Sequence, residues 1–194
     1  VFFAFLNFLA NLSASLIGPL MMSIYDSRIY GNVQAGIGLA MLLGGLCSSL
    51  IPDTKNKIKR ILLTLALCSI GPIISGATLN WIIITVGFFI FMFPIPYVNT
   101  LLMSIFQIKI ERNVLGRVGA LMTAILTAIT PIAYLCAGPL ADYVFEPLMN
   151  EKGRGIGLMF IISGILLIVS CTLMRLNKTV TSIETRLPDY LDNK

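Results

Sequence analysis

ILLTLALCSIGPIISGATLNWIIITVGFFIFMFPIPYVNTLLMSIFQI, residues 61–108, runs for 48 positions without an Asp, Glu, Lys or Arg. As one helix rising 1.5 Å per residue it would be about 72 Å long, whereas a bilayer's hydrocarbon core is about 30 Å thick and takes about 20 helical residues. The stretch is therefore two crossings joined by a turn. Gly76-Ala77-Thr78-Leu79-Asn80 supplies the turn signals, and Trp81 behind them is a residue that favours the membrane interface.

The same reading extends outward in both directions. Residues 1–25, 29–52, 118–141 and 155–174 are also free of charged side chains, and each is long enough for one crossing. The count is six. Of the 194 residues 57% are hydrophobic and 12% charged, about half the charged share of a soluble domain, which is about 25%. The runs are apolar on all sides, whereas barrel strands would alternate polar and apolar residues in segments of about ten. The fold class expected is all-α and polytopic: a six-helix transmembrane bundle over residues 1–175 and a cytoplasmic tail over 176–194.

Lysine and arginine set the orientation. Lys55, Lys57, Lys59 and Arg60 follow the second crossing, Lys109, Arg112 and Arg117 follow the fourth, and Arg175, Lys178, Arg186 and Lys194 follow the sixth, against only Arg28, Lys152 and Arg154 on the other side. By the positive-inside rule both termini are cytoplasmic. The net charge of +5 is then a topology signal, and with the basic residues split among short loops no nucleic-acid partner is expected. The partner is the lipid bilayer. Cys47, Cys68, Cys136 and Cys171 lie inside helices without metal-ligand spacing, and with no histidine in the chain they read as packing residues. Two Asn-x-Ser/Thr matches, at Asn11 and Asn177, fall in a span and on the cytoplasmic side and are chance. Val1 in place of Met, with no basic n-region before the first apolar run, is expected of a chain that begins partway through a longer protein.

The polar residues inside the spans are few. Asn7 and Asn11 sit four apart on one face of the first helix, with Ser15 continuing it, and an amide in hydrocarbon needs a partner or a wet cavity. They either line a substrate cavity or bond between helices. Gly36, Ala40 and Gly44 form a small-residue groove on the second helix that admits a close neighbour. Pro94 and Pro96 break the fourth crossing, each freeing a carbonyl, with Tyr97 and Asn99 beside the break; this is a cavity or a static kink. Thr123, Thr127 and Thr130 share roughly one face of the fifth helix, but such hydroxyls can bond back to their own helix. Gly153-Arg154-Gly155-Ile156-Gly157 lacks the dinucleotide-binding spacing. Without a Walker sequence, a nucleophile elbow or a metal-ligand cluster, and without an ionisable residue in a span, the chain is not expected to be an enzyme, and neither a cofactor nor a metal is implied. Val180, Ile183 and Leu187 in the tail share a helical face that fits the inner leaflet, but a solvated tail is the expectation.

Glu111-Arg112-Asn113-Val114-Leu115-Gly116-Arg117-Val118 before the fifth helix, with Ala137-Gly138-Pro139-Leu140-Ala141-Asp142 at its end, resembles the loop 10 to 11 and helix 11 pattern of the major facilitator superfamily, closest to the bacterial branch of macrolide-efflux and siderophore-export proteins. The glycine-rich helix ending in Gly44-Gly45-Leu46 before a basic loop, and the tail at Leu187-Pro188-Asp189, are similar. The resemblance covers nearly the whole chain, as the C-terminal half (helices 7 to 12) of a twelve-helix transporter. It implies six helices arranged as two inverted three-helix repeats, a missing N-terminal six-helix half as partner, and export of a small-molecule substrate by alternating access. The energy source it implies is proton antiport, with the coupling residue in the other half. The substrate contacts expected are Asn7, Asn11, Tyr97 and Asn99, with Gly116 and Arg117 as cytoplasmic gating or structural residues. The family's gating motif after helix 8 is only partly matched, since Asp53 arrives late after Gly45-Leu46. A stand-alone six-helix scaffold, or a half-size transporter that dimerises, is the alternative. The membrane subunit of an ATP-driven transporter would need a longer cytoplasmic docking segment than these loops offer.

This topology has a direct test. Cysteines placed at Lys57 and Arg112 should label from the cytoplasm and one at Glu151 from outside, and the reverse pattern would overturn the orientation.

Overall fold

The computed structural model describes residues 2–52, 56–149 and 151–177, and no strand occurs among them. Six helical runs are long and apolar enough to cross a membrane. The first two are single helices, α1 (Phe2–Ile24) and α2 (Ser27–Leu50). The third is α3 (Lys57–Cys68) continued by α4 (Ile70–Gly76), and the fourth is α5 (Trp81–Met92) continued by α6 (Ile95–Lys109). The fifth is α7 (Arg112–Pro139), prolonged by a π turn over Leu140–Phe145 and a 3-10 turn over Glu146–Leu148; the sixth is α8 (Arg154–Leu176). Most of the tail, including Lys178, Val180, Ile183 and Leu187, lies outside the described residues, as do Asp53 and Lys55.

The turn expected at residues 76–80 is where the chain makes it. Gly76 closes α4, the Asn80 side chain accepts the Ile82 backbone N–H at 2.9 Å as the cap of α5, and Asp26 caps α2 by accepting from Ile29 at 3.0 Å. The break between α5 and α6 falls at Phe93 and Pro94, where the prolines place it. A second break, at Ser69, was not anticipated. Pro72 has no N–H for the carbonyl of Cys68, so α3 ends there and Ser69 turns its own hydroxyl onto Leu65 O at 2.6 Å. The fifth run extends beyond its charge-free core to 36 residues, about 54 Å of helix, longer than a hydrocarbon core of about 30 Å, with Arg117 and Asp142 toward its two ends.

The outside of the bundle is oily. Leu50, Leu135 and Leu46 are 82%, 76% and 68% exposed, which would be costly in water and is ordinary against lipid tails. For the same reason burying leucine against leucine gains little here, and close packing must come from backbones approaching each other. Glycine provides it. A methyl group at Gly44 would lie on the carbonyl of Phe93, one at Gly71 on that of Gly87, and one at Gly76 on that of Gly157. These crossings lock α2 to the α5–α6 break, α4 to α5, and α4 to α8. Ser75, fully buried between α4 and α5, donates to Ile84 O at 3.0 Å, and Phe88 meets Phe160 edge to face with centroids 5.2 Å apart. The α1–α7 seam is lined on the α7 side by Ala133 and Ala137, and Ala141 in the π turn beyond them is buried in the same core.

Lys57 departs from the picture of a solvated loop cation. It is 4% exposed and donates to Ser104 on α6, so the neighbouring Lys59, which is exposed, is the better labelling position for that loop.

The glycine crossings are open to test by thermal unfolding of the detergent-purified protein. Gly87→Ala inserts a methyl group against Gly71 O and Ser75 and should cost about 1–3 kcal/mol. Gly38→Ala, where the added methyl meets open space, should be neutral or stabilise by up to about 1 kcal/mol. Equal melting of both variants would remove the close-approach argument.

Candidate functional site

The two asparagines of α1 find each other. Asn11 Nδ2 donates to Asn7 Oδ1 and to Asn7 O, each at 2.8 Å, so the pair is satisfied within its own helix and does not bond to a neighbouring one. This leaves Asn11 Oδ1 and the Asn7 amide protons for another partner. One turn before Asn7, Phe3 packs with Ile61, Val98 and Leu101, which brings the start of α1 beside α6.

Ser15 continues the stripe into a pocket of about 490 Å³ between α1, α2 and α7. Ser15 and Gly18 come from α1, Tyr30 and Gln34 from α2, and Tyr134 and Gly138 from α7. α2 and α7 flank α1 and scarcely touch one another, which is why the pocket is open. Tyr30 lies over Gly18, its hydroxyl 3.5 Å from where a Cβ would stand, and accepts from Gln34 Nε2 at 2.9 Å. Ser15 donates to Leu12 O at 2.9 Å and keeps its lone pairs for the pocket. Pro19 also lines it, and without an N–H it leaves the Ser15 carbonyl short of its partner one turn on. Two helical faces and a proline thus gather hydroxyl, amide and carbonyl groups in one place. No Asp, Glu, Lys or Arg lines it.

The residues around the fourth-span break lie elsewhere. The pocket at Phe93 and Pro94 is walled by Thr64, Leu67, Phe89 and Ile90, is nearly all apolar, and is lined by neither Tyr97 nor Asn99. Tyr97 packs in the cluster with Ile61 and Val98, and its hydroxyl takes a long contact of 3.4 Å from Arg60 Nη1. With the Lys57–Ser104 bond, this ties α3 to α6 at one end of the bundle. Asn99 is exposed on α6, and Pro96 accepts the Thr100 hydroxyl at its carbonyl, 3.0 Å away. Gly116 and Arg117 are both exposed near the start of α7, and a methyl group at Gly116 would meet nothing.

Tyr30, Gln34 and Pro19 are the residues that sequence reasoning passed over. The signal was present: Pro19 stands four residues after Ser15, and Tyr30 and Gln34 are four apart at the start of α2. At the opposite end of the chemistry, Arg154 spends its guanidinium on Glu151, 3.1 Å away, and on Ala77 O at 3.4 Å. Among the described residues no group of three His, Cys, Asp or Glu side chains could hold a metal ion. No family model, curated protein or solved structure matches this chain.

Proposed function

We propose that the chain is one six-helix half of a secondary transporter of the cell membrane, exporting a small molecule by alternating access, with both termini cytoplasmic. The observation that carries this reading is the polar, uncharged pocket that Ser15, Tyr30, Gln34 and Tyr134 line between α1, α2 and α7, with the Asn7–Asn11 pair on the same face of α1, in an otherwise apolar bundle. Polar groups held inside a membrane bundle either bond between helices or line a cavity, and here they stand at an open pocket, with Gln34 bonding to Tyr30 within α2 and Ser15 to Leu12 within α1.

The packing supports the proposed repeats. Span 1 packs on span 5 as span 4 packs on span 2, span 3 packs on span 6, and spans 2 and 5 do not pack together. These pairs keep their places when the first three spans are exchanged with the last three, while two others do not match: among the described residues span 5 packs on span 6 where span 2 does not pack on span 3, and span 3 packs more fully on span 4 than span 6 does on span 1. In a chain that crosses alternately, a span and the one three places on run in opposite directions, so such repeats are inverted. The motifs at Gly116 and at Gly138-Pro139 add the resemblance to the major facilitator superfamily. The sparsely buried α2 and α7 are the faces a second six-helix bundle would cover, and the proton-coupling carboxylate would lie in that second half. The same open faces suit a second copy of this chain, which is the half-size, dimerising alternative.

Transport by the full-length protein in inverted vesicles tests the proposal. Asn11→Leu, which removes two hydrogen bonds to Asn7, should lower the rate about tenfold or more with membrane expression unchanged, and Asn99→Leu, at an exposed position of α6, should lower it through the loss of a substrate contact. Wild-type rates in both would remove these side chains from the substrate path. The molecular mass of the solubilised protein separates a fused twelve-span chain from a dimer of six-span chains.

A further inference from the structure

Resting on that transport reading, we infer that the pocket between α1, α2 and α7 takes an uncharged, hydroxyl-bearing small molecule. The hydrogen-bonding capacity left unspent there is mixed. Tyr30 accepts from Gln34, so its own proton is available; Tyr134 Oη has its full capacity; Gln34 keeps one N–H and its Oε1; Ser15 offers lone pairs and a carbonyl. Donors and acceptors are both present around one space of about 490 Å³, within the range of small-molecule sites. A hydroxyl group, which both gives and receives a hydrogen bond, satisfies such a lining in either orientation. A carboxylate or an ammonium does not. It would give up hydration at a lining that holds no counter-charge, Arg28 of α2 and Arg117 of α7 not being among the lining residues, and neutral dipoles alone return only part of that cost. The rings of Tyr30 and Tyr134, with Leu16 and Pro19, supply apolar surface for the ligand's carbon faces.

Gly138 lines the pocket and has open space where a side chain would begin, so Gly138→Cys is a reporter the helix accommodates. In the full chain with Cys47→Ala and Cys136→Ala, and with the buried Cys68 and Cys171 retained, the rate of labelling by a water-soluble maleimide reads occupancy. Ala14→Cys, on the facing helix, serves if the first variant is not recovered folded. Three pyranose probes of one ring size and shared core carry different charges: neutral methyl β-glucopyranoside, anionic methyl β-glucuronide and cationic methyl β-glucosaminide. Methyl β-glucopyranoside should slow labelling several-fold, the glucuronide and the glucosaminide at equal concentration should leave it unchanged, and Gln34→Leu should abolish the protection. Protection by a charged probe equal to that by the neutral one, or protection by none, overturns the inference and leaves the transport reading standing. No labelling of either reporter, while Lys59→Cys labels, means the pocket is closed to water and overturns both.

Discussion

A peptide group in hydrocarbon has no partner except another polar group of the protein, and each one left bare costs several kcal/mol. That constraint orders the rest of this molecule. The spans are helical because a helix closes its own hydrogen bonds, and most hydroxyls in them turn back onto carbonyls three or four residues earlier, as Ser48 does to Gly45, Thr85 to Trp81 and Thr172 to Ile168. Proline is where the closure fails. Pro72 coincides with the break at Ser69, Pro94 and Pro96 with the break between α5 and α6, Pro139 with the onset of the π turn, and Pro19 with the polar pocket. The chain's departures from regular helix are thus few and each has a local cause.

Once every span is a helix, what holds one span to the next is a separate problem, because lipid tails are as apolar as leucine. The solution here is distance. Gly71 against Gly87 and Gly76 against Gly157 let whole backbones touch, gaining dispersion contacts along the crossing, and Gly164 continues the α8 face against Ser69. The glycines of α2 divide accordingly: Gly36 and Gly44 are spent on span 4, against Thr85 and Phe93, while Gly31, Gly38 and Gly45 meet nothing. The second set repeats every seven residues along a face that no described residue covers.

This division explains what the sequence could and could not disclose. Charge and hydropathy act on each segment alone, so the six crossings, the turn at residues 76–80 and the breaking prolines of span 4 were legible. The groove at Gly36 and Gly44 was legible as a groove; its occupant was not. Spacing within one helix names a face but carries no information about which helix opposes it. The reciprocal pairs Gly71–Gly87 and Gly76–Gly157, and the Ala133–Ala137 seam, therefore went unseen. The polar pocket was legible only in part for the same reason. Asn7, Asn11 and Ser15 were visible as a stripe, but Tyr30 and Gln34 join it only because α2 folds back over Gly18. Tyr97, chosen for its nearness to a break, instead packs with Ile61 and meets Arg60.

Under the proposed repeat relation the polar pocket is a place where the two repeats differ. α2 and α7 are then equivalent, and Tyr30 and Leu115 each stand fourth in their helices, followed by Gly31 and Gly116. The shared glycine keeps both helix starts slim, and neither makes contact through it. The side chains beside it diverge: Tyr30 and Gln34 in the first repeat answer to Leu115 and Gly119 in the second. The close-packing residues differ as well, for Gly36 and Gly44, turned toward span 4, and Ala40 between them answer in this register to Leu121, Ile129 and Ile125. The proposed repeats would thus share which spans pair and not the side chains that pair them, and the Tyr30 hydroxyl and Gln34 amide near Gly18 belong to the first repeat's α2 without a counterpart at the matching positions of α7.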